Sequence, residues 1–378
     1  MIYLDNAATT NVFPEVTEVI ASVLREHFGN PSSLYSLGIE SRKIVDRSRM
    51  QIAKAIGCDP SEVFFTSCGT ESNNLAILGA ARSRKAWGNK VIVSGIEHPS
   101  VQNTVASLSE EGFEVVVIDP EDDGTLNMDK FLKEVDRRTA LVTCMRVNNE
   151  TGALTDTALM AKKVKEINRR TAFHCDAVQS FLKHTTVLDG AIDSMSISGH
   201  KIHGPKGIGV LYLKKGFNLS RTQFGGGQEK GIRSGTENVA YIAGMAKAVE
   251  LIGSVTNNLK HVKACRDVLW ESIKDLPEVK LNSPFDASPY ILNISVLGYR
   301  SETMLHFLEG EGIFVSSGSA CSKGEKSHTL EAMRLDDERV DSALRFSLSA
   351  ETTENEVKAA ADAIKKGINT LERKKIWK

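Results

Sequence analysis

The chain has 378 residues, 41% hydrophobic and 25% charged, a balance that fits a folded globular protein with a sizeable core and excludes a disordered or fibrous one. Lys plus Arg number 47 against 48 Asp plus Glu, for a formal charge of -1, and the clearly basic run is the short "LERKKIWK" near the end, so nucleic-acid binding is not expected. The start "MIYLDNAATT" lacks a basic stretch followed by an apolar one, and no apolar run of about 18 residues occurs; no membrane partner is expected, and the expected setting is cytoplasmic.

From residue 62 apolar runs alternate with helical patterns. "EVFFTS" precedes "ESNNLAILGAARSRKA", and "KVIVSG" precedes "PSVQNTVASLSEEG". "EVVVID" comes next, then "ALVTCMRV" before "TALMAKKVKEINRR", and finally "AFHCDAV", "SMSISG" and "GVLYL". Strand alternating with helix predicts an α/β fold with a mainly parallel sheet. A helix at "NVAYIAGMAKAVELIGSV" and a polar helical stretch at "NNLKHVKACRDVLWESI" follow. The pattern then turns α+β, with "YILNISVLG" and "RFSLSA" as strands and "TENEVKAAADAIKKGINTLERK" as a last amphipathic helix. The change predicts a second domain from about residue 255: a large domain over 15–254, and a small one made of 1–14 and 255–378.

In such sheets ligands bind beyond the carboxyl ends of the strands, so the loops there carry the functional signal. In "FFTSCGTESNNLAIL", Gly69 and Thr70 stand between a strand and a helix, where free backbone N–H groups and a hydroxyl make an anion cradle; a plain N-cap role for Thr70 is the alternative. The dinucleotide and P-loop glycine patterns are absent. "IEHPS" presents His98, and "AFHCDAVQ" puts Asp176 at a strand end with Gln179 three residues on. A carboxylate there is costly unless a cation or strong donor meets it, and a protonated pyridine nitrogen is such a group. "SMSISGHKIHGPKGIGVLY" places Lys201 at the next strand end. A lysine for a Schiff base, a carboxylate for the ring nitrogen and a phosphate cradle together point to pyridoxal 5'-phosphate. His200 and His203 have the spacing of a metal pair but no third ligand, so no metal is expected.

The six cysteines, Cys58, Cys68, Cys144, Cys175, Cys265 and Cys321, include no CxxC pair. Cys321, in "SSGSACSKGEK", has small residues before it and a Lys/Glu/Gly/Ser-rich run after it, a setting for a reactive thiolate with Lys323 or Lys326 favouring the charged form. The other five read as structural.

The segments "YLDNAATT", "GNPSS", "TSCGTESNN", "EHPSV", "VNNETG", "HCDAVQ", "SISGHKIHGPKGIG", "FGGGQEKGIRSGTEN", "SSGSACS" and "RFSLS" occur in the order found in cysteine desulfurases, which the chain resembles nearly end to end. The resemblance implies a pyridoxal-phosphate enzyme of fold type I, with a mainly parallel seven-stranded sheet flanked by helices and a smaller α+β domain. It implies Lys201 as the lysine that carries the cofactor, Asp176 as partner of the ring nitrogen, Gln179 as donor to the ring hydroxyl oxygen, and His98 as the stacking, proton-moving histidine. Phosphate contacts fall to Gly69, Thr70, Ser198 and His200, with Thr236 reaching in from the other subunit of a homodimer. Arg345, helped by Asn149, binds the substrate carboxylate. L-Cysteine becomes L-alanine, and its sulfur moves to Cys321 and then to an acceptor protein, an iron–sulfur scaffold or a thiolation enzyme. A selenocysteine lyase or an aminotransferase is the alternative. Tyr35 stands where many relatives carry histidine, so no role carries over to it, and the stretch after Cys321 is shorter than in housekeeping members.

Overall fold

A computed structural model describes residues 1–317 and 327–373. Strand β1 (Ile2–Tyr3) opens the chain. β2 (Val63–Thr66), β3 (Lys90–Ser94), β4 (Glu114–Ile118), β5 (Thr139–Thr143), β6 (Ala172–Asp176), β7 (Ser194–Ser198) and β8 (Gly209–Leu213) form one seven-stranded sheet in the order β2-β8-β7-β6-β5-β3-β4. The strands from β7 across to β4 pair in parallel, and β8 runs antiparallel to both its neighbours. The expected mainly parallel sheet is therefore present. β3, β5, β6 and β7 are buried throughout because helices cover both faces, which is why their sequences read as continuous apolar runs. β4 is one edge of the sheet, and there Val117 is 54% exposed.

The helix Gly69–Arg84 packs on this sheet with a face of small residues, Ala76, Ala80 and Ala81 among them. The helices Pro14–Glu26 and Ser36–Ile56 pack on the helix Val239–Leu251, where a Cβ on Gly244 would lie 2.7 Å from Ile20 Cγ1; only glycine allows that approach. Two residues after that helix ends at Leu251, the chain turns. The helices Val239–Leu251 and Val255–Ile273 meet at 73° across Gly253, which has φ +69°, a left-handed conformation that glycine adopts without strain. Among the described residues no single helix is long and apolar enough to cross a membrane.

Beyond that turn a second core forms. β9 (Val279–Leu281), β10 (Ile291–Val296), β12 (Ser316–Ser317) and β13 (Ala343–Ser347) make an antiparallel sheet, while β11 (Ile313–Phe314) pairs in parallel with β1. Leu292, Leu344 and Phe346 pack there with Leu4 and the final helix Glu354–Thr370, whose start is closed by a Thr353/Glu356 capping box. Residues 4–10 thus cross from one core to the other: Asn6 Nδ2 donates to Ser347 O at 2.9 Å, and Thr10 N donates to His200 O at 2.9 Å.

Candidate active site

Residues at or just beyond the carboxyl ends of β2, β3, β5, β6 and β7 line a cavity of about 300 Å³. Lys201, Asp176, Gln179, His98, Gly69, Thr70, Ser198, His200, Asn149 and Arg345 all border it. Thr236 does not; it stands exposed beside a separate cavity with Arg233 and Glu237. Cys321, Lys323 and Lys326 lie outside the described residues.

Lys201 closes a single 3₁₀ turn after β7, and its Nζ donates to Ala7 O at 2.6 Å and to Ala8 O at 2.7 Å. The amine is thus held by backbone carbonyls of the N-terminal segment. Asp176 ends β6, and each of its oxygens takes a hydrogen bond: Val178 N donates to Oδ1 at 2.9 Å and Asn73 Nδ2 to Oδ2 at 2.8 Å. Asn73, which sequence reasoning did not single out, fixes more than the carboxylate. Since its NH₂ must face Asp176, its oxygen faces His174 Nε2 at 3.0 Å, so His174 carries its proton on Nε2. Burial drives His174 down to about 3, and it stays neutral.

His98 is the N-cap of the helix Pro99–Ser107. Its Nδ1 accepts the Ser100 N–H at 3.1 Å, which leaves the ring proton on Nε2. Burial lowers its pKa against the opposing pull of Asp176, with Lys201 adding to the lowering. Ser100 Oγ, 2.8 Å from His98 Nδ1, also accepts from Asn73 Nδ2 at 2.9 Å, so one amide joins the two sides of the cavity. Just before His98, Glu97 is buried under the site. Ser94 Oγ and Met145 N donate to its Oε1, and burial, with the Asp176 charge adding, pushes the carboxyl up to about 8.

The helix Gly69–Arg84 begins two residues before the Glu71 start expected from sequence and takes in Gly69 and Thr70. Cys68 is the N-cap and makes no side-chain cap bond, and Thr70 sits inside the first turn, so its capping alternative fails. A Cβ on Gly69 would lie 2.8 Å from Val178 Cγ2 and 3.6 Å from Ser198 Cβ, so glycine lets the helix start close against both strand ends. Ser198 Oγ is buried without a partner. His200, pushed down to about 4 by burial and by Lys201, Lys206 and Lys183, is a neutral ring with Nδ1 3.2 Å from Thr9 Oγ1. An anion at a bare helix start, with a buried hydroxyl unsatisfied beside it, meets the needs of both.

Arg345, in β13, is 5% exposed. Its Nη1 donates to Asn149 O at 2.9 Å and Nη2 to Asp5 Oδ1 at 2.8 Å, while its Nε is buried without a partner. The Asn149 contact therefore runs through its main-chain carbonyl. Glu150 beside it accepts from Ser327 Oγ and from Thr329 Oγ1, and burial raises its pKa. No group of three or more metal-ligating side chains occurs among the described residues. Cys144 and Cys175 are buried with thiols pushed far up and to about 12, as inert core residues should be.

The donor set fits pyridoxal phosphate: an amine at Lys201, a buried carboxylate fixed by two donors, and an anion cradle whose Ser198 hydroxyl lacks a partner. Comparison with known proteins agrees. Residues 2–360 match the family described as aminotransferase class-V. A protein named cysteine desulfurase IscS, from Clostridium botulinum (strain Hall), is 38% identical over 374 residues, covering 97% of this chain and 94% of that one. A solved NifS-like protein superposes with TM-score 0.92 at 36% identity, covering 98% and 100% of the two chains. A structure described as SspA in complex with cysteine gives 0.83 at 32% identity, covering 93% and 100%.

Proposed function

The chain belongs to the class-V aminotransferase family, and from that premise we propose that it is a pyridoxal-phosphate-dependent cysteine desulfurase that takes sulfur from L-cysteine and releases L-alanine. The observation that most supports this reading is one cavity bordered by Lys201, Asp176 and Arg345, with a helix start and the Ser198 hydroxyl at its edge. In this reading Asp176 would keep the cofactor ring nitrogen protonated, Gln179 would donate to the ring hydroxyl oxygen, and His98 would hold the ring. Gly69, Thr70, Ser198 and His200 take the phosphate. Bound pyridoxal phosphate supplies an electron sink that makes the Cα proton of an attached amino acid removable.

The chain's own residues do the rest. Arg345 receives the substrate carboxylate, with its unpartnered Nε as a ready donor and Asn149 beside it. Lys201 Nζ takes the Cα proton. His98, neutral with its proton on Nε2, gives a proton and recovers it as charge moves. The Cys321 thiolate attacks the substrate sulfur: an S–S bond forms, the C–S bond breaks, its electron pair stays with the carbon that becomes the alanine methyl, and Cys321 is left as a persulfide. An acceptor protein, an iron–sulfur scaffold or a thiolation enzyme, then takes the sulfur in the cytoplasm.

The large domain spans 15–254, and the small one joins 1–14 to 255–378. Two copies share their sites, with Thr236 supplied to the phosphate by the other copy. In support, Thr236 is exposed and does not border its own chain's cavity. The test is to load the protein with pyridoxal phosphate, add L-cysteine and a reductant, and quantify alanine and sulfide together. Equal amounts, both lost in Cys321→Ala with the cofactor absorbance intact, are expected. A keto acid in place of alanine would sink the reading in favour of transamination.

A further inference from the structure

Lys183 is a buried base that the reaction above leaves unused. It is 8% exposed, and its Nζ donates to Gln179 Oε1 at 3.1 Å. Gln179 Nε2 donates in turn to Ala7 O at 2.8 Å, the carbonyl that also accepts from Lys201 Nζ. A lysine ammonium offers donors only, so the amide edge that meets it must be the oxygen. A carbonyl only accepts, so the edge that meets Ala7 must be the NH₂. Both neighbours demand the same orientation. We propose that Lys183 is a positioning residue for the reaction, turning the Gln179 carboxamide so that its NH₂ edge faces Ala7 O.

This rests on the reading of Gln179 as a donor to the cofactor. With the amide reversed, its oxygen would meet the Ala7 carbonyl, two acceptors without a proton between them, and its NH₂ would no longer face the cofactor side. Lys183 and Lys201 also line one small cavity of about 30 Å³, with Asn6 and Thr10. The ionisable groups that act on Lys183 are Lys201 and Arg345, and His184, His200 and His203 feel its charge; all five are bases. Burial first, and then the two cations, bring Lys183 down to about 7. Below that pH its ammonium enforces the orientation. Above it, the amine's lone pair tolerates the reverse, so the hold on Gln179 weakens as pH rises.

The experiment measures pyridoxal-phosphate affinity and the absorbance of the bound cofactor in the wild type, Lys183→Met, Gln179→Leu and the double variant. Losing one buried hydrogen bond predicts cofactor binding weaker by roughly five- to tenfold in Lys183→Met, with a shifted absorbance. The double variant should bind no more weakly than Gln179→Leu alone. Additive losses, or a Lys183→Met protein like the wild type beside an impaired Gln179→Leu, would overturn the proposal. A Gln179→Leu protein with unchanged affinity and absorbance would remove the reading of Gln179 first, and the proposal with it. If Lys183→Met does not fold, the wild type and Gln179→Leu decide: a weakening of affinity through about pH 7 in the first and absent from the second supports the proposal. Identical pH profiles overturn it.

Discussion

Replacing Asn73 by alanine should cost the cofactor-free protein about 3 kcal/mol, more than a typical core polar substitution. Asn73 is 1% exposed and has three partners: Nδ2 donates to Asp176 Oδ2 at 2.8 Å and to Ser100 Oγ at 2.9 Å, and Oδ1 accepts from His174 Nε2 at 3.0 Å. The bond to the buried carboxylate is the largest loss, about 2 kcal/mol for a charged acceptor, and stranding the His174 N–H adds about 1 kcal/mol. Ser100 is half-buried and its hydroxyl can turn to water, so its lost contact adds little. The assay is equilibrium urea unfolding of the apoprotein. A loss below about 1 kcal/mol would refute the reasoning, because it would mean that Asp176 is satisfied without Asn73. Adding pyridoxal phosphate should narrow the gap between variant and wild type, since a protonated ring nitrogen would give Asp176 a new donor.

Two further substitutions test the surroundings of the site. Burial raises Glu97 to about 8 in the folded protein from its ordinary value of 4.5, so the folded state holds its proton where the unfolded chain has lost it; stability falls as pH rises between those values and has lost this contribution above about 8. Glu97→Gln should therefore gain on the wild type in stability from pH 5 towards 8, and parallel stability curves would contradict the assignment. Gly69→Ala should leave apoprotein stability nearly unchanged, because a better helix former offsets the crowding. Its Cβ, 2.8 Å from Val178 Cγ2, should weaken cofactor affinity by about tenfold, and an affinity equal to the wild type's would show that the helix start is not pressed against the strand ends.

Much of the large sheet was legible because β3, β5, β6 and β7 are buried on both faces, and the resulting apolar runs cannot be mistaken for solvated helix. The helices Pro14–Glu26 and Ser36–Ile56 went unread: the first starts at a proline without a side-chain cap, and the second carries charges through most of its length. The short β1, β9, β11 and β12 have two or three residues each and owe their existence to partners far along the chain, which no local pattern encodes. The same division holds in the site. Lys201, Asp176 and His98 follow recognisable strands, so their chemistry could be read from position. Asn73 lies within a helix whose sequence gives no sign that its amide spans the space between Asp176, His174 and Ser100. Lys183 carries no local signal in the sequence, because its burial comes from packing against Tyr290 and the N-terminal segment.

The two ends of the site are built differently, and that difference bears on where sulfur can go. The proposed cofactor end rests on the large sheet, whereas Arg345 comes from β13 of the second core and is held by Asp5 from the crossing N-terminal segment. Strand β12 pairs Ser316 directly with Arg345, and Ser327 is hydrogen-bonded to Glu150, the neighbour of Asn149. Both flanks of the stretch that carries Cys321 are therefore fixed within one residue of the pair proposed to receive the substrate carboxylate. Cys321 is five positions from Ser316 and six from Ser327. The described ends of that stretch, Ser316 and Ser327, are thus anchored beside the residues proposed to hold the substrate carboxylate and not beside the proposed cofactor end, so the thiol proposed to take the sulfur is joined in sequence to the substrate side of the site.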